Sequence, residues 1–538
     1  MLALICVFDL GPPLAFNDDW TFAWNVQHLN LFHIHLYPAG SALALPQIVW
    51  AWALTFGYAD QRLLRLSIIP FVLLAMYALH QLARALGADR TWSAIAAIAP
   101  LVSPVFAADA TTFMTDIPYV ALLLVAALGA VRWPEGRKWI LLCVVFATLA
   151  TLQRQVGVMI PLAVTGALLL RKRHLLNNRD KIGIILLWAF CLAAVAVPTL
   201  TGITPPTQGQ RLASILAPRP LIALADLFFL PGAVGLSLVL FLPGLAFSLT
   251  RSGPPRLGQL MAARIPIARV SIVRLLLVVL AFGELLALLH LSVFPGNVFT
   301  QRGFTATQLP DKLPLFAFPV YLCIEVAAMV SILLLALHWR SWRPSTAGWH
   351  GTLLLLLVIT QLLPLILVPY VAFDRYYLPA ALLLVPLVAR VASQAARPVL
   401  AAWLALLLAV AGGAVYVVGE QDYFAWQVAR NQAACLAYQY APPTGVNAGY
   451  EANAVYVEVP YYERTGQILG GLWTKPGDPN FSLNGPANPI IKLELVGPND
   501  PRPGYTYTSM GSGKVILLPR ADAGFTIQVP PGAAPACP

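Results

Sequence analysis

Charge is what this sequence has least of. Only 11% of its 538 residues are Asp, Glu, Lys or Arg, less than half of the roughly 25% usual in soluble domains. With 59% hydrophobic residues beside it, that scarcity excludes a soluble enzyme, a disordered chain and a fibrous one. Cysteine is sparse as well. Of the six, Cys6, Cys143, Cys191 and Cys323 lie in apolar blocks and Cys435 and Cys537 in the tail. None has metal-type spacing, so neither a zinc site nor a redox motif is present. Residues 1–16 lack a basic start and a small-residue cleavage site, which argues against a secretory signal. No internal repeat is visible.

What the chain does have is apolar length, in blocks of the order of the ~20 residues that cross a bilayer. The expected fold class is an all-α polytopic membrane protein of about thirteen transmembrane helices, with interfacial helices in the first outer loop. Pro and charge clusters punctuate the runs near 1–16, 62–83, 91–107, 116–131, 139–152, 156–170, 182–200, 222–249, 275–293, 314–337, 351–371, 376–390 and 398–418. Segment 44–57 is also apolar and is read as interfacial. The formal charge of +11 would suggest nucleic acid in a soluble protein, but here placement decides. With the N-terminus cytoplasmic, 19 basic residues fall in cytoplasmic loops against eight in the opposite ones and seven in the tail. That is the asymmetry of the positive-inside rule, and it leaves the bilayer rather than nucleic acid as partner.

Composition changes after residue 419. Residues 1–419 form the expected membrane domain, and 420–538 a small extracytoplasmic β-containing domain rich in Gly, Pro, Asn and Tyr. Alternating runs such as AVYVEV and GKVILL read as strands. Cys435 and Cys537 either pair there or stay free; pairing would add about 4–5 kcal/mol in the chain-entropy model.

Half of the acids of the membrane part gather at outer helix ends or loops: Asp18, Asp19, Asp60, Asp109, Asp116, Asp311 and Asp374, accompanied by Arg154, Arg302, Lys312 and Arg375. Ionisable groups at membrane depth are costly and are kept for function or pairing, so a polar cavity open to the outer face is expected. Each residue also has a plainer reading. Asp18, Asp19 or Asp116 can cap a helix, Asp374 and Arg375 can pair with each other, and Asp60 and Asp311 can be solvated in loops. His28, His33 and His35 have HxH-type spacing that is weak evidence for metal. Arg154 sits between two apolar half-spans in LATLQRQVGVMIPLA, where its planar guanidinium suits a phosphate oxyanion.

In this order and topology the motifs resemble the GT-C superfamily of polytopic glycosyltransferases, in particular the branch of protein O-mannosyltransferases and aminoarabinose transferases. The likeness rests on the acidic pair Asp18-Asp19 opening the first outer loop and on His35-Leu36-Tyr37-Pro38 before the next apolar helix. Met114-Thr115-Asp116 at a span start, Arg154 between the fifth and sixth spans, and Arg375-Tyr376-Tyr377-Leu378-Pro379 late in the chain complete it. Departures are Asp-Asp where Asp-Glu is common, a loosened His-Pro element, and Arg154 where a lysine is often seen.

The resemblance implies an inverting transfer of a sugar from an outward-facing polyprenyl-phosphate donor to a hydroxyl of a glycan, lipid or protein acceptor. Asp18 or Asp19 would be the general base, and Asp116 would orient the acceptor or its loop, with Asp109 as a further candidate. Arg154 and Arg375, with Tyr376, Arg302, Lys312 and His35, would bind substrate and stabilise the leaving phosphate. No cofactor is required by this reading; a divalent metal between carboxylate and phosphate stays open. The location implied is the cell (inner) membrane, with the site and tail extracytoplasmic. The alternative is a secondary transporter or lipid flippase, for which Asp9, Asp226, Glu284 and Glu325 lie within spans but scattered.

Overall fold

The computed structural model describes residues 18–38, 42–172, 177–203, 229–251, 294, 298–304, 314–338, 344–367 and 373–466. In the tail it describes 481–482, 485–486, 489–496, 499–502, 504–508 and 512–519. The expected spans 1–16 and 275–293, together with Asp311, Lys312 and Cys537, lie outside these residues.

The chain is read most simply from its helices. In the first loop, α1 (Asp19–Gln27) and α2 (Leu45–Thr55) precede the short α3 (Gln61–Leu66), which runs on into α4 (Ile69–Ala85). Then follow α5 (Arg90–Val102), α6 (Pro104–Ala110), α7 (Asp116–Val131), α8 (Arg137–Gln153), α9 (Met159–Lys172) and α10 (Asn178–Leu200). Beyond these come α11 (Phe229–Leu236) and α12 (Leu242–Arg251). A two-stranded hairpin, β1 (Phe299–Thr300) and β2 (Gly303–Phe304), precedes α13 (Phe318–Leu337), α14 (Pro344–Leu367), α15 (Leu378–Ala392) and α16 (Pro398–Tyr440). Six helices among the described residues are long and apolar enough to cross a membrane, and eight if each bent pair counts as one span. The chain is a multi-pass membrane protein.

Two spans are bent. The axis turns by 68° between α5 and α6 and by 66° between α11 and the helix that follows it. The first bend falls at Ser103, directly before Pro104, whose ring disfavours a helical residue before it. Ser103 Oγ shares a 3.2 Å hydrogen bond with Ser237 Oγ at the second bend, so each break helps satisfy the other's polar groups.

The bundle is centred on α7, whose 16 residues are all buried. A helix apolar on every face must be wrapped by others, and α4, α8, α14 and α15 do this. Its approach to α8 needs Gly129. A Cβ there would lie 2.6 Å from the Cys143 nitrogen and 2.9 Å from the Trp139 carbonyl oxygen, so only a hydrogen lets the backbones meet. The wrapped position brings Asp116, the first residue of α7, into the interior.

The helix that carries the last apolar run does not stop near residue 418, where that run ends. Helix α16 has 43 residues, about 64 Å at 1.5 Å per residue, twice the ~30 Å hydrocarbon thickness of a bilayer. Its first half shows apolar side chains outward, including Val399, Trp403, Leu407 and Val410. Its second half buries Tyr423, Trp426, Arg430, Ala433 and Ala437 at helical spacing. Beyond it, β3 (Val446–Asn447) leads to α17 (Tyr450–Asn453) and α18 (Val459–Thr465), joined by a π-helical turn over Ala454–Glu458. The AVYVEV run is therefore helical, not a strand. Its buried positions Ala454, Val457 and Glu458 recur three and four residues apart, and packing overrides the β-propensity of its valines.

The GKVILL run is a strand, as its alternation suggests. Besides the pair β4 (Phe481–Ser482) and β5 (Gly485–Pro486), the tail holds β6 (Ile491–Val496), β7 (Gly504–Thr508) and β8 (Ser512–Pro519). These three and β3 form one sheet in the order β3-β6-β8-β7, parallel only between β3 and β6. Register pairs Leu493 with Leu517 and Leu495 with Val515. Val515, Leu517 and Ile491 belong to the same core as α16. Cys435, on α16, is disulfide-bonded.

Candidate active site

The site is assembled on a five-residue ledge, 111–115, between α6 and α7. Asp19 is completely buried, and its Oδ2 accepts the Phe113 N–H at 3.0 Å. Gln47 Nε2 donates to the Phe113 carbonyl at 2.7 Å, and Gln153 Nε2 donates to Gln47 Oε1 at 2.7 Å. The ledge is thus clasped by α1, α2 and α8 at once. In the sequence the one signal of Gln47 and Gln153 is an uncharged polar residue inside or at the end of an apolar run. From the far side, Thr111 Oγ1 donates to the buried Glu420 of α16 at 2.5 Å.

Neither acid of the pair caps α1 with its side chain. Asp18 Oδ1 instead accepts the Tyr450 hydroxyl at 2.7 Å. Burial, and then the Asp18 charge, push the Tyr450 phenol well above its ordinary pKa, so it keeps its proton and acts as a donor. Asp60, by contrast, does cap its helix, accepting the Arg62 and Leu63 N–H groups at 2.9 and 3.1 Å.

Asp116 holds two arginines. Arg154 Nη1 donates to its Oδ1, and Arg375 Nε lies 4.0 Å from its Oδ2. Arg154 reaches in because α8 stops there: its backbone is extended, with φ −143° and ψ 129°, before the 3₁₀ turn Gln155–Val158 begins. Both guanidiniums lie over the Tyr376 ring, at 5.2 and 5.6 Å, a cation–π arrangement that also fixes their planes. Asp374 does more than pair with its neighbour. Its carboxylate accepts backbone N–H groups from Val298, Phe299 and Arg375, at 2.8–3.1 Å. It thereby fastens the β1–β2 hairpin, whose turn carries Arg302, to the start of α15.

Asp109, on α6, is fully buried and lies within the electrostatic reach of Asp116, Arg375, Asp374 and Arg154. Arg375 is likewise in the field of Asp109 and Asp18. Among the described residues, both Asp109 oxygens, Asp116 Oδ2 and Arg375 Nε and Nη1 are buried without a hydrogen bond. Native proteins rarely leave such groups unmet. Here five of them belong to one cluster of charged side chains, the arrangement expected of a site that receives a polar ligand.

Of the expected residues, the structure brings together Asp18, Asp19, Asp109, Asp116, Arg154, Arg375 and Tyr376. His35 is set apart. Its Nε2 shares a 2.7 Å hydrogen bond with the Tyr462 hydroxyl, in an aromatic cluster of Trp20, Trp24, Tyr37 and Tyr462. There Tyr37 donates to Glu458 at 3.4 Å and Trp24 to Glu463 at 3.1 Å, so the cluster fastens the tail to the first loop. Lys312 lies outside the described residues. No group of three or more His, Cys, Asp or Glu among the described residues is placed to hold a metal ion.

Apolar spans around a cluster of carboxylates and guanidiniums define a membrane protein with an internal polar site. Residues 42–200, which carry Asp109, Asp116 and Arg154, match the family described as dolichyl-phosphate-mannose-protein mannosyltransferase. The match bears out the resemblance to GT-C membrane glycosyltransferases. No curated protein shows a significant match. Among solved structures, ArnT from Cupriavidus metallidurans bound to undecaprenyl phosphate is 14% identical over 98% of each chain, with a TM-score of 0.42. The same protein in the apo state is 14% identical over 96% of each, with a TM-score of 0.39. Likeness of that degree carries no argument about substrate or mechanism.

Proposed function

We propose that this protein is a membrane glycosyltransferase that moves a sugar from a polyprenyl-phosphate donor to an acceptor hydroxyl at the outer face of the cell (inner) membrane, with inversion. The observation that carries the reading is the charge cluster in which Asp116 holds Arg154 and Arg375 while the Asp18 charge acts on Arg375. The family matched over 42–200 is described by a dolichyl-phosphate sugar donor, which supports the donor class. It also favours transfer over the transporter or flippase reading.

In this mechanism Asp18 takes the proton of the acceptor hydroxyl, a role that typically contributes about 10²–10⁴-fold. The freed oxygen pair attacks the anomeric carbon, and the bond from that carbon to the phosphate oxygen breaks with its electrons on the phosphate. Arg154 and Arg375 stabilise that charge, pre-aimed so that nothing need reorganise as it develops. Asp116 keeps the two cations close to each other, and Asp19 anchors the ledge rather than serving as base. Arg302 and Lys312 are placed by the same reading at the donor's head group. Thirteen spans, a membrane domain over 1–419 and an extracytoplasmic domain over 420–538 complete it, with the positive-inside asymmetry as support.

Mass spectrometry of envelope lipids, glycans and proteins from cells with and without the gene would identify the product. Transfer from undecaprenyl-phosphate-linked sugars in proteoliposomes would then be measured directly. Asp18→Asn is expected to lower it at least 100-fold; full activity in that variant sinks the base assignment.

A further inference from the structure

Tyr450 lies far from every motif in the membrane part, yet the local sequence NAGYEAN builds a stiff mount for it. Gly449 turns the chain with φ +88°, and a Cβ there would stand 3.4 Å from Arg430 Nη1. Asn453 Oδ1 accepts the Ala448 N–H at 3.0 Å and Asn447 Oδ1 accepts the Gly449 N–H at 3.3 Å. On the other side Arg430 Nη1 donates to Glu451 Oε2 at 2.6 Å, both side chains buried, with the guanidinium over the Trp426 ring at 4.5 Å. The residues before and after Tyr450 are therefore tied down, and its ring packs on the Trp20 cluster. The phenol reaches Asp18 across 432 positions of chain.

We propose that Tyr450 is a positioning residue for the transfer. It holds Asp18 by one carboxylate oxygen, leaving the other for the acceptor proton, and so makes the C-terminal segment part of the reaction centre. The proposal rests on the reading of Asp18 as base. An unheld carboxylate on the first residue before a helix would sample several rotamers, and misplacement by an ångström costs up to about 100-fold in rate. A donor that keeps its own proton holds the oxygen without competing for the one to be transferred.

The full-length protein in proteoliposomes provides the test, with undecaprenyl-phosphate-linked aminoarabinose and mannose as donor probes. Carbodiimide footprinting of carboxylates, read by mass spectrometry, needs no substrate. In Tyr450→Phe, which keeps the packed ring, the Asp18 label should accumulate several-fold faster than in the wild type at an unchanged melting temperature. kcat should fall about tenfold at near-constant KM. The double variant with Asp18→Asn should be no slower than Asp18→Asn alone, because the two groups act as a unit. Unchanged Asp18 labelling, or unchanged kcat beside a disabling Asp18→Asn, overturns the proposal. Wild-type transfer by Asp18→Asn would instead defeat the base reading, while the labelling arm still judges the hydrogen bond.

Discussion

Asp116 is the residue on which the charge cluster turns. It is a buried carboxylate between a buried cation, Arg375, and a half-buried one, Arg154, and removing one partner of such a group strands the others, at a cost of up to about 3–5 kcal/mol. Asp116→Asn should therefore lower both the melting temperature and the transfer rate, the latter by 100-fold or more; a variant that loses activity but no stability would contradict this account of its partners. Arg154 makes a sharper demand. Arg154→Lys keeps the charge but loses the planar fork that lies on Tyr376, so the donor KM should rise about tenfold with a smaller change in kcat. Donor titration in proteoliposomes measures it, and an unchanged KM would remove Arg154 from the phosphate site.

At the scale of elements, the long apolar runs were legible because bilayer-depth helices need little beyond length and hydropathy. The run 116–131 coincides with α7, and the interruption at Arg154 is a real break between α8 and α9. Less was legible where packing decides. Gln47 and Gln153 look unremarkable in sequence, since their importance comes from facing each other across two helices. Residues 454–459 alternate like a strand and coil like a helix. The acid pair resembles a cap and is not one, because Tyr450 and the Phe113 N–H compete for its oxygens. The α7–α8 crossing yields a prediction at this scale. Gly129→Val would drive a branched side chain into backbone, where overpacking costs typically 1–3 kcal/mol or more. Loss of monodisperse protein in detergent, or a lowered melting temperature, is expected, whereas Gly413→Val, at a position with no neighbour within 4 Å, should behave as wild type.

Across the whole molecule, the tail and the first loop share the aromatic cluster, and the charge cluster draws on the start of α1, α6, α7, the α8–α9 break and the turn before α15. That reach was only partly visible in sequence: the motifs marked the membrane contributors, while nothing in residues 420–466 announced Tyr450, Glu458 or Glu463 as partners of the first loop. The long α16 joins the two regions without a hinge, one half against lipid and the other against the sheet, with Glu420 on Thr111 between them.

A continuous rod of this kind is a lever. Helices answer a thicker or thinner bilayer by changing tilt, and a tilt of about 10° over an arm of about 30 Å shifts the far end by about 5 Å. Acyl-chain length would thus be felt at the ledge and at Tyr450, so turnover should peak at one lipid thickness and fall on either side. A flat response across vesicles of 14- to 22-carbon acyl chains would show that the rod flexes. On a stiff rod, the surrounding membrane becomes a setting of the catalyst's speed.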